Sequence, residues 1–218
     1  MAERALVLVA RPTPSGIDER SLRTLAAAVA ERSPLPVHVA HLDQAEPSIH
    51  AVLDELADGA TRTVLLVPLA VPADRYLASW IGKAVANWHE TRGDDLDVRT
   101  TEGLTALPAV ADAIAALGDG VPVTASPAAF RSPAWSVLEI PQRHLLVCRG
   151  PRCTAYGAGA THRALAAAAT GTTTQVTPIG CVGPCNLGPL VIDHPAGTWH
   201  QEVDETRATA LIEPRHAT

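Results

Sequence analysis

Apolar and polar positions change period repeatedly along this chain. Ala5–Ala10 is a continuous apolar run, the pattern of a strand covered on both faces. Leu22–Glu31 then spaces its apolar residues as a helix does. Val37–Ala40 predicts a second strand and Pro47–Leu56 a second helix, with proline near its first turn. Thr63–Pro68 and Tyr76–His89 predict a third pair, and Leu96–Thr100 with Pro108–Leu117 a fourth. Strands alternating with helices imply right-handed crossovers and a parallel sheet. Residues 1–120 are therefore expected to form a four-stranded, flavodoxin-like α/β domain.

Gly118–Gly120 ends that alternation. Residues 121–142 are rich in proline, alanine and serine without a sustained period, which predicts a linker. A second unit, residues 143–218, begins with a strand at His144–Cys148 and a helix at Thr161–Thr170. Strands at Gln175–Ile179, Leu190–Asp193 and Trp199–Val203 follow, with a turn at Pro195–Gly197 before the last and a closing helix at Glu205–Ile212. A unit this small has little core to bury and commonly carries a staple.

Composition narrows the class. The chain has 218 residues, 47% hydrophobic and 18% charged, which is globular rather than disordered. Its longest uncharged stretch, Ala164–Ile192, is broken by glycine, threonine and proline, so no membrane span is expected. The opening MAERALVLVA carries charge too early for a signal peptide, and a cytoplasmic protein is the expectation. The net charge of −6 is uneven: residues 1–120 hold 17 acids against 10 bases, whereas residues 143–218 are nearly neutral. Without a basic stripe, and with aromatics at 3%, nucleic acid is not an expected partner. Lys83 is the single lysine, and nothing in the sequence gives it a role.

Cysteine placement is what bulk composition does not explain. All four lie in the last third, as Cys148-x4-Cys153 and Cys181-x3-Cys185. Disulfides would need an oxidising compartment. A zinc site more often uses Cys-x2-Cys pairs, and these spacings are wider. An iron–sulfur cluster takes four thiolates from loops whose backbone approaches the sulfurs closely. Gly150, Gly180, Gly183 and Gly188 around the cysteines suit that reading best.

Two resemblances follow from these segments. HLLVCRGPRCTAYGAG with PIGCVGPCNLGPLVIDHPAGTWHQEV resembles the thioredoxin-like [2Fe–2S] ferredoxins and the small thioredoxin-fold subunit of respiratory complex I, over about residues 143–213. The resemblance implies that Cys148 and Cys153 ligate one iron and Cys181 and Cys185 the other. The short first spacing is closer to the complex I type. An oxidised cluster with its four thiolates carries about −2, and Arg149, Arg152 and Arg163 are expected to offset part of it.

LVLVARPTP and AHLDQAEPSIHAVLDELADGATRTVLLVPLAVPADRYLASWI are similar to the short, single-repeat sirohydrochlorin cobalt or iron chelatases, over about residues 4–118. That resemblance implies a face-to-face homodimer with a tetrapyrrole between its halves. Where the family has His-Gly-Ser after strand one and Gly-x-His after strand three, this chain reads Arg11-Pro12-Thr13 and Asp74-Arg75-Tyr76. Arginine stays protonated and cannot replace the histidine as base or metal ligand, though it can grip a carboxylate. Arg11, Arg75 and Tyr76 are thus the expected tetrapyrrole contacts, near strand ends where open α/β sheets bind ligands.

Other candidates are weaker. No GxGxxG follows the first strand, no Walker A motif occurs, and Gly157–Gly159 opens a helix of the second unit. His38, His41 and His50 lie near strand and helix two as ordinary polar histidines, with a metal role the lesser reading. His89 reads as helix surface, His194 and His200 as hairpin positions, and Asp94, Asp95 and Asp97 as a solvated acidic loop rather than a Ca²⁺ or Mg²⁺ site. The combined expectation is a one-electron carrier with a redox partner protein, serving cobalamin or sirohaem metabolism. The alternatives are a divergent chelatase with a structural or regulatory cluster, and a metallochaperone. Whether the chain is an enzyme stays open at this point.

Overall fold

The computed structural model describes residues 3–12, 18–93, 96–118, 140–183 and 186–212, with isolated positions from 120 to 128. Most of the expected linker lies outside these residues, as do Asp94, Asp95 and Cys185. Among the described residues no helix is long and apolar enough to cross a membrane.

The first sheet is built as the sequence pattern implies. Strands β1 (Arg4–Ala10), β2 (Val37–His41), β3 (Thr63–Pro68) and β4 (Asp97–Thr100) pair in the order β2-β1-β3-β4, every neighbour parallel. This is the flavodoxin order without its fifth strand, with the switch in winding direction between β1 and β3. Helices α1 (Glu19–Ala30), α2 (Ile49–Ala57), α3 (Arg75–Arg92) and α4 (Pro108–Ala115) make the crossovers. Val7, Val9, Leu53, Leu66, Leu77, Ile81 and Trp88 form the buried core between the sheet and the α2/α3 face. The Trp88 indole N–H donates to Asp54 Oδ1 at 2.9 Å, which satisfies the one polar atom on a side chain only 1% exposed.

The second sheet is mixed. Strands β5 (Arg143–Cys148), β6 (Thr174–Ile179), β7 (Val191–His194) and β8 (Thr198–His200) lie in the order β6-β5-β7-β8. The β5–β6 pair is parallel and the other two are antiparallel. Helix α6 (Ala158–Ala169) covers one face with α7 (Glu205–Ile212), enclosing Leu145, Val147, Leu165, Val191, Val203 and Ala208. Asp193 is buried inside this unit but paired: Arg143 reaches it with Nη2 at 2.6 Å, and Nη1 of the same arginine donates to the Leu211 carbonyl. The arginine thus ties β5, β7 and α7 together.

Three elements of the second unit depart from expectation. Pro151–Ala155 is a single-turn helix, α5, so Cys153 sits on a helix rather than in a loop. Five residues are too few to show a helical period, and proline at the first position starts the turn. The strands expected at Leu190–Asp193 and Trp199–Val203 run instead over Val191–His194 and Thr198–His200, around the turn expected at Pro195–Gly197, where Gly197 takes φ +69°.

Trp88→Ala is expected to cost about 3–5 kcal/mol of stability, since it opens a large cavity in the first core. A urea unfolding titration measures this.

Candidate functional site

The C-terminal ends of β1 and β3 carry a small charge network. Arg11, directly after β1, pairs with Asp74 at 3.0 Å and approaches Asp43 at 3.7 Å. Asp74 has two tasks. Its Oδ1 caps α3 by accepting from the Tyr76 and Leu77 N–H groups, while Oδ2 accepts from Arg11. That cap sets the start of α3 so that the Tyr76 ring lies under the Arg11 guanidinium, 4.3 Å from centroid to Cζ. Arg11 and Tyr76 are therefore brought together. Arg75 is exposed on the first turn of α3 and shares none of these contacts among the described residues.

Asp43 is buried, and burial pushes its pKa up from 3.8 to about 6 although Arg11 pulls the other way. Burial likewise holds His41 below the usual histidine range. His50 is engaged elsewhere, 3.0 Å from Asn87, and His89 lies 3.1 Å from the Gly93 carbonyl at the end of α3. Asp97 pairs with Arg99.

The cysteines face this network. Cys148 ends β5 and is fully buried, Cys153 is buried on α5, and Cys181 is exposed just after β6. No disulfide links these three to one another. Two glycines bring their segments together. A methyl group on Gly150 would lie 2.6 Å from Cys181 Cβ and 3.2 Å from its sulfur, and one on Gly188 would lie 2.7 Å from the Cys153 sulfur. Only a residue without a side chain permits that approach. The donors and their glycine backing fit a soft metal centre held by thiolates. Among the described residues no three histidine, cysteine or acidic side chains already surround a common metal position.

Tyr76 joins the two regions. Its pKa is pushed up to about 12, first by burial and then by the negative charge of Cys181, Asp43 and Cys148 as thiolates or carboxylate. The phenol beside the cysteines therefore stays neutral at ordinary pH. The units dock through Gln44, whose N–H donates to the Arg149 carbonyl at 3.0 Å and whose Nε2 donates to the Ile179 carbonyl at 3.2 Å. Gln44 takes φ +62° to do so. Arg163 pairs with Glu46 at 2.5 Å. Arg149 is buried at the same junction, close to the charges of Glu46 and Asp43, and burial lowers its pKa.

The three arginines expected to offset cluster charge thus have specific neighbours: Arg149 the charges of Glu46 and Asp43, Arg152 the Trp80 ring and Arg163 Glu46. Asp43, Gln44 and Glu46 lie in a stretch that carries the chelatase resemblance, but the sequence alone assigned them no role at this junction.

Residues 5–117, just over half of the chain, match the CbiX family. The chain belongs to the CbiX family. A CbiX protein from Marinobacter aquaeolei VT8, named for cobalamin (vitamin B12) biosynthesis, is 18% identical, with a TM-score of 0.45 over 51% of this CbiX chain and 88% of that one. This CbiX chain is also 37% identical over 41 residues to a 2Fe-2S ferredoxin of Aquifex aeolicus (strain VF5), which is 19% of its own length and 37% of that protein. It spans little more than a third of that curated relative. The thioredoxin-like [2Fe-2S] ferredoxin structure from Aquifex aeolicus is 27% identical, with a TM-score of 0.31 over 34% of this chain and 84% of that one.

The raised pKa of Asp43 has a signed consequence. Its folded value exceeds its unfolded value, so the folded chain holds the extra proton and stability falls as pH rises from 3.8 to about 6. Asp43→Asn is expected to flatten that slope and to raise the thermal midpoint above about pH 6. Melting curves across this range provide the check.

Proposed function

We propose that this CbiX-family chain is a one-electron carrier, with a thioredoxin-like ferredoxin module holding a [2Fe–2S] cluster on Cys148, Cys153, Cys181 and Cys185. The observation that carries this reading is the closure of the two cysteine segments on each other through Gly150 and Gly188. The partial identity to a 2Fe-2S ferredoxin supports it. A bound [2Fe–2S] cluster takes up and releases a single electron. Cys148 and Cys153 would hold one iron and Cys181 with Cys185 the other; Cys181 is exposed, so exchange with a partner protein is expected on its side. Arg149 brings positive charge to the buried end of the site, and the neutral Tyr76 excludes water without adding charge.

Membership of the CbiX family points to cobalamin or sirohaem metabolism. A tetrapyrrole or a tetrapyrrole enzyme is the proposed destination of the electron, with Arg11, Arg75 and Tyr76 as proposed contacts and a homodimer as the proposed assembly. A second reading, a divergent cobalt or iron chelatase, draws on one observation. Asp43 and His41 are buried titratable groups at the end of β2, and Asp43 can accept a proton near neutral pH. The resemblance sets Arg11 and Tyr76 where the family has histidines, which weighs against it.

Purified anaerobically, the protein is expected to show visible charge-transfer absorbance, about two irons per chain, and a rhombic paramagnetic signal after one-electron reduction. A colourless protein with one zinc per chain would sink the proposal. Gly188→Ala, which forces a methyl group against the Cys153 sulfur, should lower iron content severalfold while the far-ultraviolet dichroism stays unchanged. A chelation assay with sirohydrochlorin and Co²⁺ addresses the second reading: the electron-carrier proposal expects no insertion above the buffer rate, whereas turnover abolished by Asp43→Asn would favour the chelatase.

A further inference from the structure

One turn along α3 from Tyr76, a groove of about 380 Å³ opens between α2, α3 and α5, so both units contribute to it. Small-molecule sites run from roughly 300 to 1,000 Å³, and this volume falls at the low end. Its walls divide by chemistry. Leu42, Ile49, Ala84, Pro151 and Ala155 supply an apolar side. Lys83 from α3 and Arg152 from α5 supply the cations, and both rest on one indole: Lys83 Nζ stands 4.5 Å and Arg152 Cζ 5.1 Å from the centre of the Trp80 ring.

This convergence runs against the charge of the chain. The protein carries a net −6 and one lysine, yet that lysine and an arginine of the other unit meet at a single ring. Neither pairs with a carboxylate among the described residues, and Glu90 is the only acidic side chain on the lining. His50 and Asn87, also on the lining, are hydrogen-bonded to each other. Two unpaired cations beside an apolar wall form a receptor for a molecule that is both negative and partly apolar.

We infer that this groove binds an amphipathic organic anion, a molecule bearing a phosphate or carboxylate on an apolar body. Its charged end meets Lys83 and Arg152, and its body covers Ile49, Ala84 and Pro151. Arg152 and Asn186 on the lining are the chain neighbours of Cys153 and Cys185, so the ligand lies beside the cysteine segments. Its position next to a redox centre rests on the electron-carrier reading; the binding does not.

Flavin mononucleotide and riboflavin differ by one phosphate and serve as the probes. Isothermal titration of the full chain should show flavin mononucleotide binding at least about tenfold more tightly than riboflavin. In the Lys83→Gln, Arg152→Gln double variant that gap should close, with riboflavin affinity and the thermal midpoint unchanged. Equal affinity in the native chain, a gap that survives in the double variant, or no binding of flavin mononucleotide at about 1 mM would each overturn the inference. Iron content measured on the same samples separates the two readings, because a chain without a cluster still binds the nucleotide if the groove acts as described.

Discussion

Two hydrogen bonds from one residue hold the relationship on which the candidate site depends. Gln44 donates its backbone N–H to Arg149 and its side-chain amide to Ile179, and so fixes the start of α5 and the end of β6 against the strand ends of the first sheet. The distance along the chain is large, 135 residues for the amide contact. A covalent connection alone would leave the units free to separate. Directional bonds to backbone carbonyls specify one orientation where apolar contact alone would tolerate several. The Glu46–Arg163 ion pair lies on the same side, but both partners are half exposed and salt screens them, so it contributes little on its own.

That orientation changes what the strand ends of the parallel sheet do. In open α/β sheets the crevice at the winding switch receives a ligand. Here Arg11, Asp43, Asp74 and Tyr76 occupy the crevice and satisfy much of one another's charge, with the cysteine segments of the second unit alongside. The acidic surplus of the first 120 residues therefore meets the nearly neutral unit at a junction supplied with arginines from both. Electrostatics at this junction is local pairing rather than a broad field.

Much of the architecture was legible because period and burial agree. Thr63–Pro68 alternates in exposure as the third strand and has the limits its sequence implies, and the apolar run at β1 is buried on both faces as a central parallel strand should be. The short α5 was not legible, since one turn offers no repeat to detect. Nor was the docking: a glutamine in a loop gives no sign that its amide will find a carbonyl in another unit. Nor was the burial of Arg149, a cation whose nearby charges include Glu46 and Asp43 of the other unit. Cysteine spacing and flanking glycines identified the candidate metal ligands, while the charge partners of the nearby arginines emerged only from the tertiary structure.

Cys148 stands at the end of the strand that lies inside the second sheet, and the backbone is held from both sides there. Its own N–H donates to the Leu190 carbonyl, and that of Arg149 to the Ile179 carbonyl. Strands paired on both edges are among the last parts of a fold to open. A side chain anchored in this way has little freedom to move. Under the electron-carrier proposal that stiffness would keep the reorganisation energy of the site low, so that exchange would be limited by distance and orientation rather than by movement of the ligand.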